Sequence, residues 1–228
     1  MDFIINSFIE AFRLIFALDQ DVFNAVFISL KVSLTAIVLS SIVSLPLGFI
    51  IAEKNFVGKR LIIMILNTLM GVPTVVVGLL VYTFISRQGP LGMLNLLFTS
   101  KAMIIGQFIL AFPILTSLTI SAIQAVDERV AETALTLGAN KRQLAYTVFL
   151  EARFGLLAAV ISGFGRIIGE VGSAMILGGN IKGVTRTIST YIALQSSMGE
   201  TERGIALGII LILMTFLINL LFNYFQHR

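Results

Sequence analysis

Arg166 and Glu170 stand four residues apart in a stretch that is otherwise apolar and glycine-rich, GRIIGEVGSAMILGGN over residues 165–180. A charge at the centre of a bilayer costs about 2.5–3.5 kcal/mol on insertion scales, so both side chains are expected to face protein or water, and each other. The Arg-before-Glu order is not the better one for a helix dipole, so partners elsewhere in the fold are expected to matter more than the pair itself. Gly169, Gly172, Gly178 and Gly179 with Ser173 allow close backbone approach and exposed N–H groups, as an anion path needs. An ion pair locking two helices, or a close-packed dimer seam, fits the same residues.

A second polar constellation runs from Asp127 to Gly155, DERVAETALTLGANKRQLAYTVFLEARFG. Asp127 and Glu128 suit a helix N-terminus, and Val130, Ala131, Ala134, Leu135 and Leu137 supply a small apolar face. Gly138 stops that helix and Asn140 continues the turn, after which Lys141 and Arg142 lead into a second amphipathic helix through Leu144, Tyr146, Val148 and Phe149. Two short helices joined at a glycine make a knob suited to another protein's cleft, although a solvated connector has the same composition.

Composition fixes the medium in which these residues work. Hydrophobic residues make up 57% of the 228 and charged ones 12%, a balance that predicts an integral membrane protein. There is no cysteine, which removes disulfides, thiolate metal sites and cysteine nucleophiles, and the one histidine, His227, offers no metal or acid–base centre. No metal site is expected. The net charge of +4 is spread over short loops, which fits retention of basic loops inside a cell better than a nucleic-acid surface.

The elements that position the two constellations read as an all-α chain of about five spanning helices. Residues 1–21 carry Asp2, Glu10, Asp19 and Asp21 against Arg13 alone, with Phe8, Phe12, Ile15 and Phe16 near helical spacing, and predict an N-terminal interfacial helix and no signal peptide. A spanning reading of this segment competes with the interfacial one. Spans follow over residues 22–52 (containing Pro46), 61–86 (interrupted at Gly71-Val72-Pro73-Thr74), 102–124 (containing Pro113), 156–177 and 204–225, with the segment 127–155 between the third and fourth. Residues 178–203 read as a connection. The basic hairpin Glu53–Arg60 should be cytoplasmic, which puts the N-terminus outside, the segment 127–155 inside and the C-terminus inside. The basic residues of the loops and ends agree by a thin margin, eight inside (Arg228 among them) against six outside.

Glu132-Thr133-Ala134-Leu135-Thr136-Leu137-Gly138, followed by Val148 and Leu150, resembles the EAA signature of ABC-transporter permease subunits. Thr133 departs from its first alanine, and Glu151 stands where the pattern has proline, leaving room for a helix that continues unbroken into the fourth span. The 165–180 block is similar to the G-E-x-G-A-x-x-x-x-x-G-N element of molybdate, tungstate and sulfate permeases, and GVPTVVVGLL followed by SRQGPLG looks most like the tungstate type. The resemblance implies a type I ABC importer transmembrane domain over residues 22–226, paired with a second copy of itself in the plasma membrane of a prokaryote. It implies cytoplasmic ATPase subunits that bind ATP and magnesium, and an extracytoplasmic oxyanion-binding protein. This chain, which lacks a G-x-x-x-x-G-K-[ST] string, is expected to be no enzyme and to bind no cofactor.

On that resemblance Glu132, Ala134, Gly138, Ala139, Asn140 and Arg142 couple the ATPase. Pro73, Arg166, Gly169, Glu170, Gly172, Ser173, Gly178, Gly179 and Asn180 belong to the translocation path and gate. The rival from the residues alone is a secondary transporter that uses Glu170 as a proton relay. Sulfate is the alternative cargo within the resemblance.

Overall fold

A computed structural model describes residues 2–17 and 19–226. His227 and Arg228, used above, lie outside them. The described residues form eleven α-helices and no strand. The helices are α1 (Asp2–Phe16), α2 (Gln20–Glu53), α3 (Lys59–Met70), α4 (Thr74–Ile85), α5 (Ser100–Gln124), α6 (Glu128–Thr136), α7 (Lys141–Glu151), α8 (Arg153–Ile168), α9 (Gly172–Gly178), α10 (Ile188–Ser197) and α11 (Thr201–Gln226). Among the described residues three helices are long and apolar enough to cross a membrane, α2, α5 and α11, and five spans result if the bent pairs α3–α4 and α7–α8 each count as one.

The centre of the bundle is the pair α2 and α5. On α2, Ser29, Ser33, Ala36, Ser40, Ser44 and Gly48 recur every three or four residues and are all buried. Small residues at that spacing let two helix backbones approach closely, which is how helices associate where lipid supplies no hydrophobic drive. Ser40 Oγ donates to the Phe108 carbonyl and Ser44 Oγ to that of Phe112, each at 3.2 Å. Successive contacts advance in the same direction along both helices, so α2 and α5 run parallel and the α3–α4 segment returns between them. At the far end, a Cβ on Gly48 would lie 2.7 Å from Thr119 Cβ and 3.0 Å from the Thr116 carbonyl oxygen. Gly48→Leu is therefore expected to wedge the pair apart and destabilise the fold by about 1–3 kcal/mol or more, as overpacked cores do. The check is a lowered unfolding temperature in detergent, with Leu34→Ala, on an exposed position of the same helix, as the unaffected control.

Apolar side chains on the outer surfaces of these helices, such as Leu34, Val38 and Ile42, stay exposed, as a lipid-facing surface requires. Helix α1 packs on α11 through Ala11 and Leu14, which join Val22, Tyr191, Leu207 and Ile210 in one buried cluster. Phe8, Phe12 and Phe16 remain exposed on its other side.

Three features differ from the sequence expectation. The fourth span, read as 156–177, is two helices, α8 and α9, separated by Gly169-Glu170-Val171. The connection 178–203 contains α10, whose start is fixed by a reciprocal cap: the Thr190 N–H donates to Thr187 Oγ1, and Thr190 Oγ1 receives the Thr187 N–H. Finally, α7 does not run unbroken into α8. The two meet at Ala152 with a bend of 60°, although no proline is present. Packing makes the bend: Val148, Ala152 and Leu156 bury together against Ile123, and Gly155 sits where a Cβ would lie 2.8 Å from that of Ala122.

Candidate functional site

The residues singled out in the sequence gather at two places, one inside the bundle and one at the end of it. The inner place is where two interrupted spans meet. Between α3 and α4 the chain turns through 101° at Gly71-Val72-Pro73, with Pro73 as the residue before α4. Proline fits there because it has no N–H to lose at a helix start and cannot continue the preceding helix. Between α8 and α9 the break is Gly169-Glu170-Val171. The breaks touch: a Cβ on Gly172 would lie 2.8 Å from both Thr74 Oγ1 and Val75 Cγ2, and one on Gly78 would lie 2.9 Å from Ser173 Cα. The starts of α4 and α9 are thus fastened side by side, and no larger residue fits at either glycine.

Glu170 is the keystone of the second break. Its side chain is 3% exposed, and Oε1 accepts the Ser173 N–H at 3.0 Å, replacing the missing N-terminal cap of α9. Its Oε2 meets Arg166 Nη1 at 3.4 Å, a longer contact. Its backbone carbonyl receives the Ser189 hydroxyl at 2.7 Å, which ties the break to α10. On the α8 side, the Ile167 carbonyl accepts from the Glu170 N–H at 3.2 Å and from Gln107 Nε2 at 3.1 Å. An irregular backbone at membrane depth persists only where its freed polar groups are met in this way. Gln107 is 2% exposed and its Oε1 is without a partner.

Arg166 is the exposed member of that pair. Its side chain is 45% exposed, and Ser162, Gly165 and Gly169 continue the same open, weakly polar strip along α8. A Cβ on Gly165 or Gly169 would meet nothing within 4 Å. A strip of that kind, with a guanidinium in it, does not suit lipid; it suits a second protein surface or a watered path.

Gly178, Gly179 and Asn180 lie at the other end of α9. Gly178 is closed in by Met103 and Thr185, and Thr185 Oγ1 both donates to the Gly178 carbonyl at 2.5 Å and accepts the Ile181 N–H at 3.0 Å. Asn180, with φ +49°, is held by Arg186 Nε on its side-chain oxygen at 3.3 Å and Arg186 Nη2 on its carbonyl at 3.4 Å. Gln107, Thr185, Arg186 and Ser189 were not singled out in the sequence. The hydroxyl-dense run Thr185-Arg-Thr-Ile-Ser-Thr190, with its cap spacing, was the available signal for three of them.

The second place is the knob of α6 and α7. Asp127 caps α6 by accepting the Arg129 N–H at 2.9 Å and also meets its guanidinium. That side-chain hydrogen bond, with the backbone one behind it, holds the Asp127 carboxyl below its usual value and raises the Arg129 guanidinium. At the other end of α6, Gly138 takes φ +84°; its N–H reaches the Leu135 carbonyl and the Ala139 N–H reaches that of Ala134, both at 2.9 Å. This is the glycine-terminated helix end in which two otherwise free carbonyls are met. Asn140 then caps α7 with Gln143 in a reciprocal pair. The result is a rigid corner on which Leu137 is 83% exposed while Ala134 is buried beneath it, and Glu132 and Arg142 are exposed on either side. A cleft of about 940 Å³ lies between the two helices. Among the described residues no group of three or more His, Cys, Asp or Glu is placed to hold a metal ion.

Parallel spans closely packed on small residues, paired mid-span breaks and a rigid polar corner define a multi-pass membrane transport subunit. The chain belongs to the family described as binding-protein-dependent transport system inner membrane component, which it matches over residues 44–228. It is 42% identical over 219 residues to the tungstate uptake system permease protein TupB of Peptoclostridium acidaminophilum, covering 96% of each chain. It is also 42% identical to TupB of Campylobacter jejuni, covering 96% of this chain and 92% of that one. The molybdenum transport system permease protein ModB of Haemophilus influenzae is more distant, at 28% over 86% of this chain and 91% of that one. In three dimensions the chain is similar to inward-facing MetNI methionine ABC transporter, with TM-score 0.73, 16% identity, and coverage of 92% and 97%. It is likewise similar to a bacterial ABC transporter importing alginate, with TM-score 0.74, 21% identity, and coverage of 96% and 83%.

Proposed function

We propose that this chain is the membrane-spanning permease subunit of an ATP-driven importer of a tetrahedral oxyanion, tungstate or molybdate. The observation that carries the reading is the likeness to tungstate permeases along 96% of both chains, including both polar constellations. In this reading two copies pair across the open strip of α8 and enclose the path. Pro73, Arg166, Gly169, Glu170, Gly172, Ser173, Gly178, Gly179 and Asn180 form its wall and gate. The corner made by Glu132, Ala134, Gly138, Ala139, Asn140 and Arg142 seats in a cytoplasmic ATPase subunit, which binds ATP and magnesium. An extracytoplasmic protein delivers the anion with high affinity, because a tight site within the membrane would slow release. The N-terminus lies outside and the C-terminus in the cytoplasm of a prokaryotic cell.

In the same reading the motion runs through the bend at Ala152 and the break at Glu170. ATP closes the ATPase pair, the corner carries the displacement to Ala152, and α8 moves relative to α9 at the Glu170 break. A proton relay at Glu170 is disfavoured by its partners: its carboxylate is engaged by the Ser173 N–H and Arg166, and is 3% exposed. The test is reconstitution in liposomes with the ATPase and the binding protein. Uptake of molybdate or tungstate that requires ATP and survives collapse of the proton gradient is the expected result. Uptake driven by a proton gradient without ATP would overturn the reading.

A further inference from the structure

We infer that Arg186 and Arg203, set against the ring of Tyr191, form an outer receiving site for a tetrahedral oxyanion, distinct from Arg166 and built on the proposed oxyanion transport. Arg186 lies 5.1 Å from the Tyr191 ring centre and Arg203 lies 5.9 Å from the same centre, while Tyr191 is itself 3% exposed. Two guanidinium groups are thereby gathered on one buried ring. Their charge is poorly answered. Among the described residues Arg186 meets the two Asn180 oxygens, at 3.3 and 3.4 Å, and no carboxylate. Arg203 has Asp19 at 3.6 Å, and its Nε is buried with no partner. The neighbouring cation is different: Lys182 pairs with Asp21 at 2.7 Å.

A guanidinium presents five N–H donors in a planar fork that matches an oxyanion edge, and much of that capacity is unspent on both arginines. The contacts with the ring leave those donors unspent. Position connects the cluster to the gate. Arg186 holds Asn180 at the end of α9, and three residues further on the Ser189 hydroxyl holds the carbonyl of Glu170. An anion drawn onto the free donors of Arg186 shares the guanidinium with Asn180, which weakens its hold on the turn that closes α9. The site would thereby couple arrival of the anion to the gate.

The experiment uses the purified full chain in phosphatidylcholine nanodiscs, without binding protein, titrated with radiolabelled molybdate. The wild type is expected to bind it saturably, with sulfate and tungstate competing. Arg186→Gln should weaken binding about tenfold, the size of a lost charge-assisted hydrogen bond, and Arg186→Lys should fall between the two. Lys182→Gln, which removes one charge from the same end of the molecule, should bind within about twofold of wild type. Equal binding by wild type and Arg186→Gln, or an equal loss in Lys182→Gln, would overturn the site. So would wild type that binds no molybdate but whose tightly bound phospholipid phosphorus falls in Arg186→Gln, which would assign the cluster to a headgroup. The transport reading fails separately, if the complete reconstituted transporter moves no oxyanion.

Discussion

Replacing Gly138 with proline should leave the protein in the membrane at normal abundance and abolish its co-purification with the ATPase subunit. Proline fixes φ near −65°, whereas this residue sits at +84° and its N–H is bonded to the Leu135 carbonyl. The substitution removes both the backbone angle and the hydrogen bond that make the corner between α6 and α7. The damage stays local, because a Cβ at Gly138 meets nothing within 4 Å and the spans pack elsewhere. Gly138→Ala is the graded companion: it keeps the N–H and strains only the angle, at about 1 kcal/mol. It should weaken association without ending it. Retained co-purification of the proline variant would remove this corner from the coupling surface.

The Glu170 series separates the structural role of that carboxylate from proton transfer. Glu170→Leu leaves the buried Ser173 N–H without an acceptor, which costs about 1–3 kcal/mol, and frees Arg166. A lower unfolding temperature and a fall in ATP-driven uptake of about tenfold or more are expected. Glu170→Gln keeps an oxygen for Ser173 and cannot carry a proton. Uptake within about threefold of wild type is expected, because the cap survives and only the longer Arg166 contact is weakened. If Glu170→Gln were as inactive as Glu170→Leu in an otherwise stable protein, the ionised or titrating carboxylate itself would be required.

The physical signals differ in how far they reach along the chain. Spans are legible because a bilayer demands long apolar runs, so α2, α5 and α11 stand out in the sequence. Gly138 and Asn140 were equally legible, since their roles are local: a left-handed turn and a cap are written within a few residues. The pairing of Arg166 with Glu170 followed from four-residue spacing, whereas the order of the two charges pointed to partners elsewhere in the fold. The carboxylate's shorter contact is instead local, the Ser173 N–H three residues on, and the tie from another helix, Ser189, goes to the Glu170 backbone carbonyl. The break at Gly169-Glu170-Val171 was less accessible, because hydropathy runs through it and the donors that permit it, Gln107 and Ser189, come from distant segments. The bend at Ala152 has the same character. It lacks its proline and is imposed by Ala122 and Ile123 across the interface, so no reading of residues 141–168 alone could supply it. Helix α10 was hidden among glycines and hydroxyls that also spell a loop, and its identity rests on burial of Tyr191 and Ile188 against α1, α2 and α11.

The parallel pairing of α2 with α5 also dictates how the protein must be made. Ser40 and Ser44 bond to backbone 68 residues further along the chain, at synthesis rates of roughly 5–20 residues per second a delay of some seconds. During that interval α2 stands in the bilayer with its serine-lined stripe unpartnered. The stripe can wait. Serine hydroxyls on α2 bond to their own helix, as Ser29 does to Ala25 and Ser41 to Ile37, so a solitary α2 need leave no polar group bare to lipid. The α3–α4 segment, which leaves the ribosome first, must therefore be kept from occupying the groove reserved for α5. The bulky faces of Leu61, Ile65 and Leu69, which stay exposed in the finished fold, are too large for a seam built on serine and glycine. Side-chain size thus separates the two candidates for that groove: the small residues of α2 accept α5, and the bulky face of α3 is left outside.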